Sequence, residues 1–247
     1  MTPTRVCNDS IPLCKVFKRL RVPAGTVQRL NLGVPELDQM ILGGVPKGSL
    51  VLVLGPPGAG KSILGKLFLH AGLVKGDKSF LVSTAEGDQA ISETMAMFHW
   101  TEGVPERLRL LDCYSWRLGG KRSKYSVPLT SLTDVSVSLS RLFDDSKVEP
   151  EGSERLVVDS FTDFVKYVGV EKSLRFLDHL RLKLSENGVT GLLMLEEGVH
   201  APRTVAAVEY STDGTIRMKV SDQGRFMMAS RMQATPLVQK WIQFTIG

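Results

Sequence analysis

Gly55-Pro56-Pro57-Gly58-Ala59-Gly60-Lys61-Ser62 combines closely spaced glycines with a lysine and a hydroxyl in the order G-x-x-x-x-G-K-[ST], the P-loop pattern. Glycine permits the tight turns that bring successive backbone N–H groups onto one anion. Lys61 adds a flexible point charge suited to outer phosphates, and the Ser62 hydroxyl is a hard oxygen suited to Mg²⁺. Ile63 opens the helix that follows, so the phosphate turn feeds directly into a helix N-terminus. Farther along, Asp159 closes the apolar run Arg155-Leu-Val-Val-Asp159-Ser160. A carboxylate at a strand tip beside the loop would hold Mg²⁺ or its water shell, the Walker B role; the plainer alternative is a cap on the next turn. These residues predict a nucleotide phosphate site.

The elements that must position them follow from pattern. Val51–Leu54 reads as a buried strand before the loop, and Ile63–Gly72 as the helix after it. Gly33-Val-Pro-Glu-Leu-Asp38 and the paired turn signals Gly43-Gly44-Val-Pro46-Lys-Gly48 deliver the chain into that strand. Further strands are expected at Ser79–Thr84, Leu108–Asp112, Arg155–Ser160 and Thr190–Leu195. Helices are expected at Gly87–Trp100, where Ile91, Met95 and Phe98 share a face, at Leu132–Phe143, and at Val170–Glu186, which Asn187-Gly188 ends. Residues 114–131 read as a polar, basic loop, and Glu149–Glu154 as a charged connection. From Val205 to Ile246, apolar and polar residues alternate around the turn signals Asp213-Gly214 and Gln223-Gly224. The fold class is therefore α/β: a mainly parallel central sheet flanked by helices, with C-terminal β-hairpins and the ligand at the carboxyl ends of the strands.

The chain of 247 residues is long enough to bury a full core as one large domain. With 31 Lys and Arg against 26 Asp and Glu its net charge is +5, mild enough that an acidic partner is permitted but not required. Residues 1–30 form a basic extension, in which Arg5, Lys15, Lys18, Arg19, Arg21 and Arg29 face only Asp9; a solvated arm or edge strand is the plain reading, a docking segment the sharper one. Cys7, Cys14 and Cys113 fit neither a disulfide framework nor a zinc site, and read as reduced thiols in a cytoplasmic protein. No apolar run approaches the ~20 residues of a membrane span. His70, His99, His179 and His200 lack metal-ligand spacing. Glu196-Glu197, paired carboxylates after the Thr190–Leu195 strand, hint at acid/base work, but the plainer reading is polar termination of the strand or partners of a basic neighbour.

Taken in order, Gly33–Asp38, Gly43–Ser49, the P-loop and Val157-Val-Asp159-Ser160 resemble a single KaiC-like domain of the RecA/RadA superfamily of P-loop ATPases, spanning residues 31–247. The resemblance implies a RecA-like core, ATP with Mg²⁺, and a homo-oligomeric ring or filament with nucleotide at the subunit interface. One subunit would supply Lys61, Ser62 and Asp159, and its neighbour would supply basic residues. The departures are informative. The family's first glutamate at the second strand tip, its general base, is replaced by Ala85, with Glu86 following as the nearest substitute. Met194 and Leu195 stand where a polar γ-phosphate sensor is usual, and the family's Lys-x-Arg-Gly-Thr reads Arg231-Met-Gln233-Ala-Thr235. Glu86, Asp159 and Arg231 are the candidate catalytic residues. The expectation is an ATP-binding protein with weak or absent ATPase activity, in which nucleotide occupancy controls self-assembly or partner binding. The alternatives are an active RecA-paralogue ATPase on single-stranded DNA, suggested by the basic loop 117–125 and by Gly198–Arg203, and a nucleotide-free interaction module.

Overall fold

The computed structural model describes residues 27–101, 107–118, 125–146 and 153–246. Strands β3 (Leu50–Gly55) and β7 (Val189–Glu196) are buried almost end to end. Runs apolar on both faces can be buried only in a sheet covered on both sides. The remaining sheet strands are β4 (Lys78–Ser83), β5 (Leu108–Asp112), β6 (Glu154–Asp159), β8 (Gly214–Ser221), β9 (Gly224–Met232) and β10 (Ile242–Phe244). Their order is β10-β9-β8-β3-β7-β6-β4-β5, parallel from β8 to β5 and antiparallel through β9 and β10. The short strands β1 (Arg29–Leu30) and β2 (Val45–Pro46) pair separately.

Successive residues of β3 point to opposite layers. Leu50, Leu52 and Leu54 enter a core shared with α4 (Leu132–Ser146), α5 (Phe161–Val168), α6 (Val170–Asn187) and α7 (Pro202–Tyr210). Val51 and Val53 enter the opposite layer with α1 (Pro35–Met40), α2 (Lys61–Leu73) and α3 (Asp88–Met97). Cys113 is one of the packed residues of the first layer, and burial pushes its thiol up to about 12.

One charged side chain spans the second layer. Arg155, in β6, is 1% exposed. It donates to the Asp77 carboxylate (2.8 Å) and to the carbonyls of Asn31 (2.7 Å) and Phe68 (3.0 Å), and lies over the Phe68 ring. Gly72 makes room for it, since a Cβ there would fall 2.3 Å from Arg155 Nε.

Three elements depart from the sequence pattern. Helix α3 stops at Met97, and His99 turns to φ 57°, so Phe98 and Trp100 leave the helix and stack on each other instead. Residues 161–168 form α5, which Gly169 ends at φ 85°. Pro202–Tyr210 is helical, whereas alternation was expected from Val205 onward. Pro202 sits in the first turn, where its missing N–H costs nothing, and Thr204 and Val208 make a buried i, i+4 pair. Asp213-Gly214 is consequently no hairpin but the start of the parallel strand β8, while Gln223-Gly224 does turn β8 into β9. Residues 1–26 of the basic extension (with Cys7 and Cys14), 119–124 of the basic loop and 147–152 lie outside the described residues. Among the described residues no helix is long and apolar enough to cross a membrane.

Candidate functional site

The P-loop leaves the carboxyl end of β3 and turns into α2. Gly55 is required because β8 runs beside it, and a Cβ would sit 2.7 Å from the Met218 carbonyl oxygen. Gly60 precedes α2 at φ 97°, with Ile246 packed so close that a Cβ would meet it at 2.9 Å. No side chain caps α2, so its first N–H groups remain available to an anion.

A cavity of about 450 Å³ opens at this point. Gly58, Gly60, Lys61, Ser62 and Ile63 form one side, and Ala85, Asp159, Ser160, Thr162, Asp163 and Glu196 the other. Ile246 closes the rim. Gly55, Pro56, Pro57 and Ala59 shape the turn without lining the cavity. Buried Lys61 donates to the carbonyls of Gly55 and Pro56, both at 2.9 Å, and meets Glu196 Oε1 at 3.2 Å. Ser62 and Asp159 line this cavity together. Desolvation by the cleft walls pushes the Asp159 carboxyl above its ordinary range, against the pull of Ser62, Lys66 and Lys61. A hydroxyl and a carboxylate side by side are the hard oxygen donors a Mg²⁺ ion prefers.

The candidate catalytic residues are arranged unequally. Ala85 lines the cavity, whereas the Glu86 carboxylate turns away to pair with buried Lys66 at 2.8 Å. Arg231 lies in β9 opposite Thr215, at the end of the sheet away from the P-loop. Its guanidinium binds the Glu209 carbonyl and the Thr212 carbonyl (2.6 Å) of its own chain. Within one chain it does not join the cavity. Ala234 takes φ 52° where the resembling motif has glycine, and Arg29 holds that turn through the Ala234 carbonyl and the Thr235 hydroxyl.

The sequence singled out Glu196 as one of a carboxylate pair but did not place it in the cavity. Its register partner is Gly55, so the strand that would have revealed it is the neighbour of β3, a long-range fact. Glu197, by contrast, faces Arg217 at 3.7 Å. A second compartment was also missed. An apolar pocket of about 210 Å³ adjoins the P-loop, sharing Gly60, Ile63 and Ile246 with the first and walled by Val34, Leu67, Phe98, Trp100, Met227 and Phe244. Phe98 and Trp100 stack at 4.7 Å, and His70 stacks on Trp100 at 5.7 Å, giving the pocket an aromatic wall suited to a flat ring. A more open cavity of about 570 Å³ lies between α4 and α6, remote from these groups. Among the described residues no cluster of histidine, cysteine and carboxylates could hold a metal by itself.

Residues 30–247 match the family described as ATPase: KaiC. The chain belongs to the KaiC ATPase family. The family match runs from β1 to the end of the sequence, and membership implies nucleotide binding. Among curated relatives of this KaiC-family chain, a UPF0273 protein of Pyrobaculum aerophilum is 30% identical over 209 residues, covering 80% of this chain and 70% of that one. A UPF0273 protein of Thermotoga maritima is 26% identical over 205 residues, covering 79% and 81%. The crystal structure of a KaiC-like protein from Pyrococcus horikoshii superposes with a TM-score of 0.73, covering 90% of this chain and 96% of that one. At 23% identity that likeness establishes the shared RecA-like fold.

Proposed function

We propose that this KaiC-family chain binds ATP with Mg²⁺ in the 450 Å³ cleft and turns it over slowly, nucleotide occupancy governing self-assembly or partner binding. The observation that carries the reading is a contrast within one cavity. Lys61, Ser62 and Asp159 converge there, while the tip of β4 offers it only the methyl group of Ala85. Lys61 and the first N–H groups of α2 would take the phosphates, and Ser62 and Asp159 would hold the metal, which supplies charge neutralisation at the phosphates. The base would lie against Phe98 and Trp100 in the adjoining apolar pocket.

Assembly enters because Arg231 and Gln233 sit at the end of the sheet away from their own cleft. Any contact they make with a phosphate must come from another subunit. A finger arginine contributes roughly 10³–10⁵ in rate, and neutral Gln233 in place of the motif's arginine forgoes that contribution.

The test is thermal unfolding with ATP·Mg²⁺, joined to light scattering after size exclusion. A ligand at 100 times its dissociation constant stabilises by about 2.7 kcal/mol. For a domain of this size that raises Tm by roughly 5–11 °C. Lys61→Ala should abolish the shift. Millimolar ATP·Mg²⁺ with no shift refutes binding, and an unchanged mass with and without nucleotide refutes the assembly switch.

A further inference from the structure

Three carboxylates line the cleft, and two are already committed. Asp159 is the carboxylate assigned above, with Ser62, to the metal. Asp163 accepts from the Thr84 hydroxyl at 2.8 Å and faces the Arg117 guanidinium at 3.7 Å. The third, Glu196, pairs with Lys61 at 3.2 Å, its one ion pair among the described residues, and lies within electrostatic reach of His200.

Glu196, like Asp159, is anchored at a strand end of the sheet. It ends β7 in register with Gly55, the first glycine of the P-loop. Its backbone N–H donates to the Thr162 hydroxyl at 2.9 Å, which ties the strand tip to α5. A carboxylate on a strand end between two paired strands is held more precisely than one on a loop.

ATP bound as proposed above would change the surroundings of Glu196, and the role assigned to this residue rests on that binding. Lys61 must exchange carbonyl and carboxylate partners for phosphate oxygens. Glu196 then faces the phosphate chain without its counter-charge. Two anions cannot stay in contact, but a water between them donates one hydrogen to the carboxylate and presents its oxygen to phosphorus.

We propose that Glu196 is the catalytic residue that orients and deprotonates the attacking water, replacing from β7 the base that Ala85 cannot supply from β4. The water oxygen bonds to the γ-phosphorus as its proton passes to the Glu196 carboxylate. The bond from the γ-phosphorus to the β,γ-bridging oxygen breaks, and its electron pair stays with ADP. Glu196 then releases the proton to solvent.

The test compares wild type with Glu196→Gln, which preserves size and hydrogen bonding but cannot take the proton. ATP·Mg²⁺ affinity is measured by titration, and bound ATP is followed in a single turnover. The expected result is affinity equal to or a few-fold tighter than wild type, because Lys61 loses a rival, with the single-turnover rate falling roughly a hundredfold or more. Glu196→Asp, which keeps a base but shortens its reach, should fall between. Tighter binding with an unchanged rate would show Glu196 to be only a latch on Lys61, and overturns the proposal. So does loss of binding in Glu196→Gln, or absence of turnover in wild type that binds ATP. Wild type that fails to bind ATP at all would instead sink the function proposed above, and this step with it.

Discussion

Replacing Arg155 by methionine tests whether the charged strut under the P-loop helix is needed for stability. The substitution keeps most of the side-chain volume but removes every donor. Among the described residues Asp77 would retain only the backbone N–H of Ser153 (3.0 Å), and the carbonyls of Asn31 and Phe68 would lose their guanidinium contact. The pair is nearly closed to water, with side chains 1% and 11% exposed. Burial pushes the guanidinium below its ordinary range, while the bond to Asp77 pulls it back. Breaking a buried pair by deleting one partner costs about 3–5 kcal/mol, chiefly through the charge left behind. For a domain of this length that lowers Tm by roughly 6–20 °C. Urea unfolding gives the free energy directly, with m unchanged if the native state stays compact. The double variant Arg155→Met/Asp77→Asn, which strands no charge, should recover part of the loss. A single-variant loss below about 1 kcal/mol, with the double variant no better, refutes the idea of an uncompensated buried carboxylate.

Two further outcomes concern the cleft. Because the folded-state value of Asp159 is raised, its contribution favours the nucleotide-free fold at acid pH and is lost as pH rises through the carboxylate range. Asp159→Asn should flatten that decline, leave the nucleotide-free protein at least as stable at pH 7, and remove the extra thermal shift that Mg²⁺ adds to ATP; a variant less stable than wild type at pH 7 contradicts the cause assigned to the shift. Ala85→Glu places a carboxylate on the cavity wall where the resembling family has its base, in addition to the one proposed at Glu196, and should raise ATP turnover about tenfold, less than the ~10²–10⁴ of a base introduced where none acts. Unchanged turnover at saturating ATP·Mg²⁺ would show that the base is not what limits the rate.

What could be read from sequence was what short segments decide for themselves. The P-loop spacing, the apolar runs of β3, β6 and β7, and the carboxylate ending β6 are local signals, and each lies where it was expected. What escaped depends on distant neighbours. Glu196 looks like a strand terminus until β7 is known to lie beside β3. Arg155 reads simply as the first residue of an apolar strand until Asp77, Asn31 and Phe68 surround it. Phe98 fits a helical stripe with Ile91 and Met95, yet its ring packs on Trp100 beyond the helix end. The helix from Pro202 had its own cue in the proline, outweighed by the alternation around it.

The outer rim of the cleft has the least support of any part of the sheet. β10 is three residues long and pairs only with β9, yet Phe244 and Ile246 close the wall over Gly60. Segments held by few backbone bonds exchange their amide hydrogens through small local openings rather than global unfolding. If a guest leaves through this edge, its opening frequency caps the exit rate. A nucleotide spanning both compartments would slow deuterium uptake first at residues 242–246, well before the interior strands register any change.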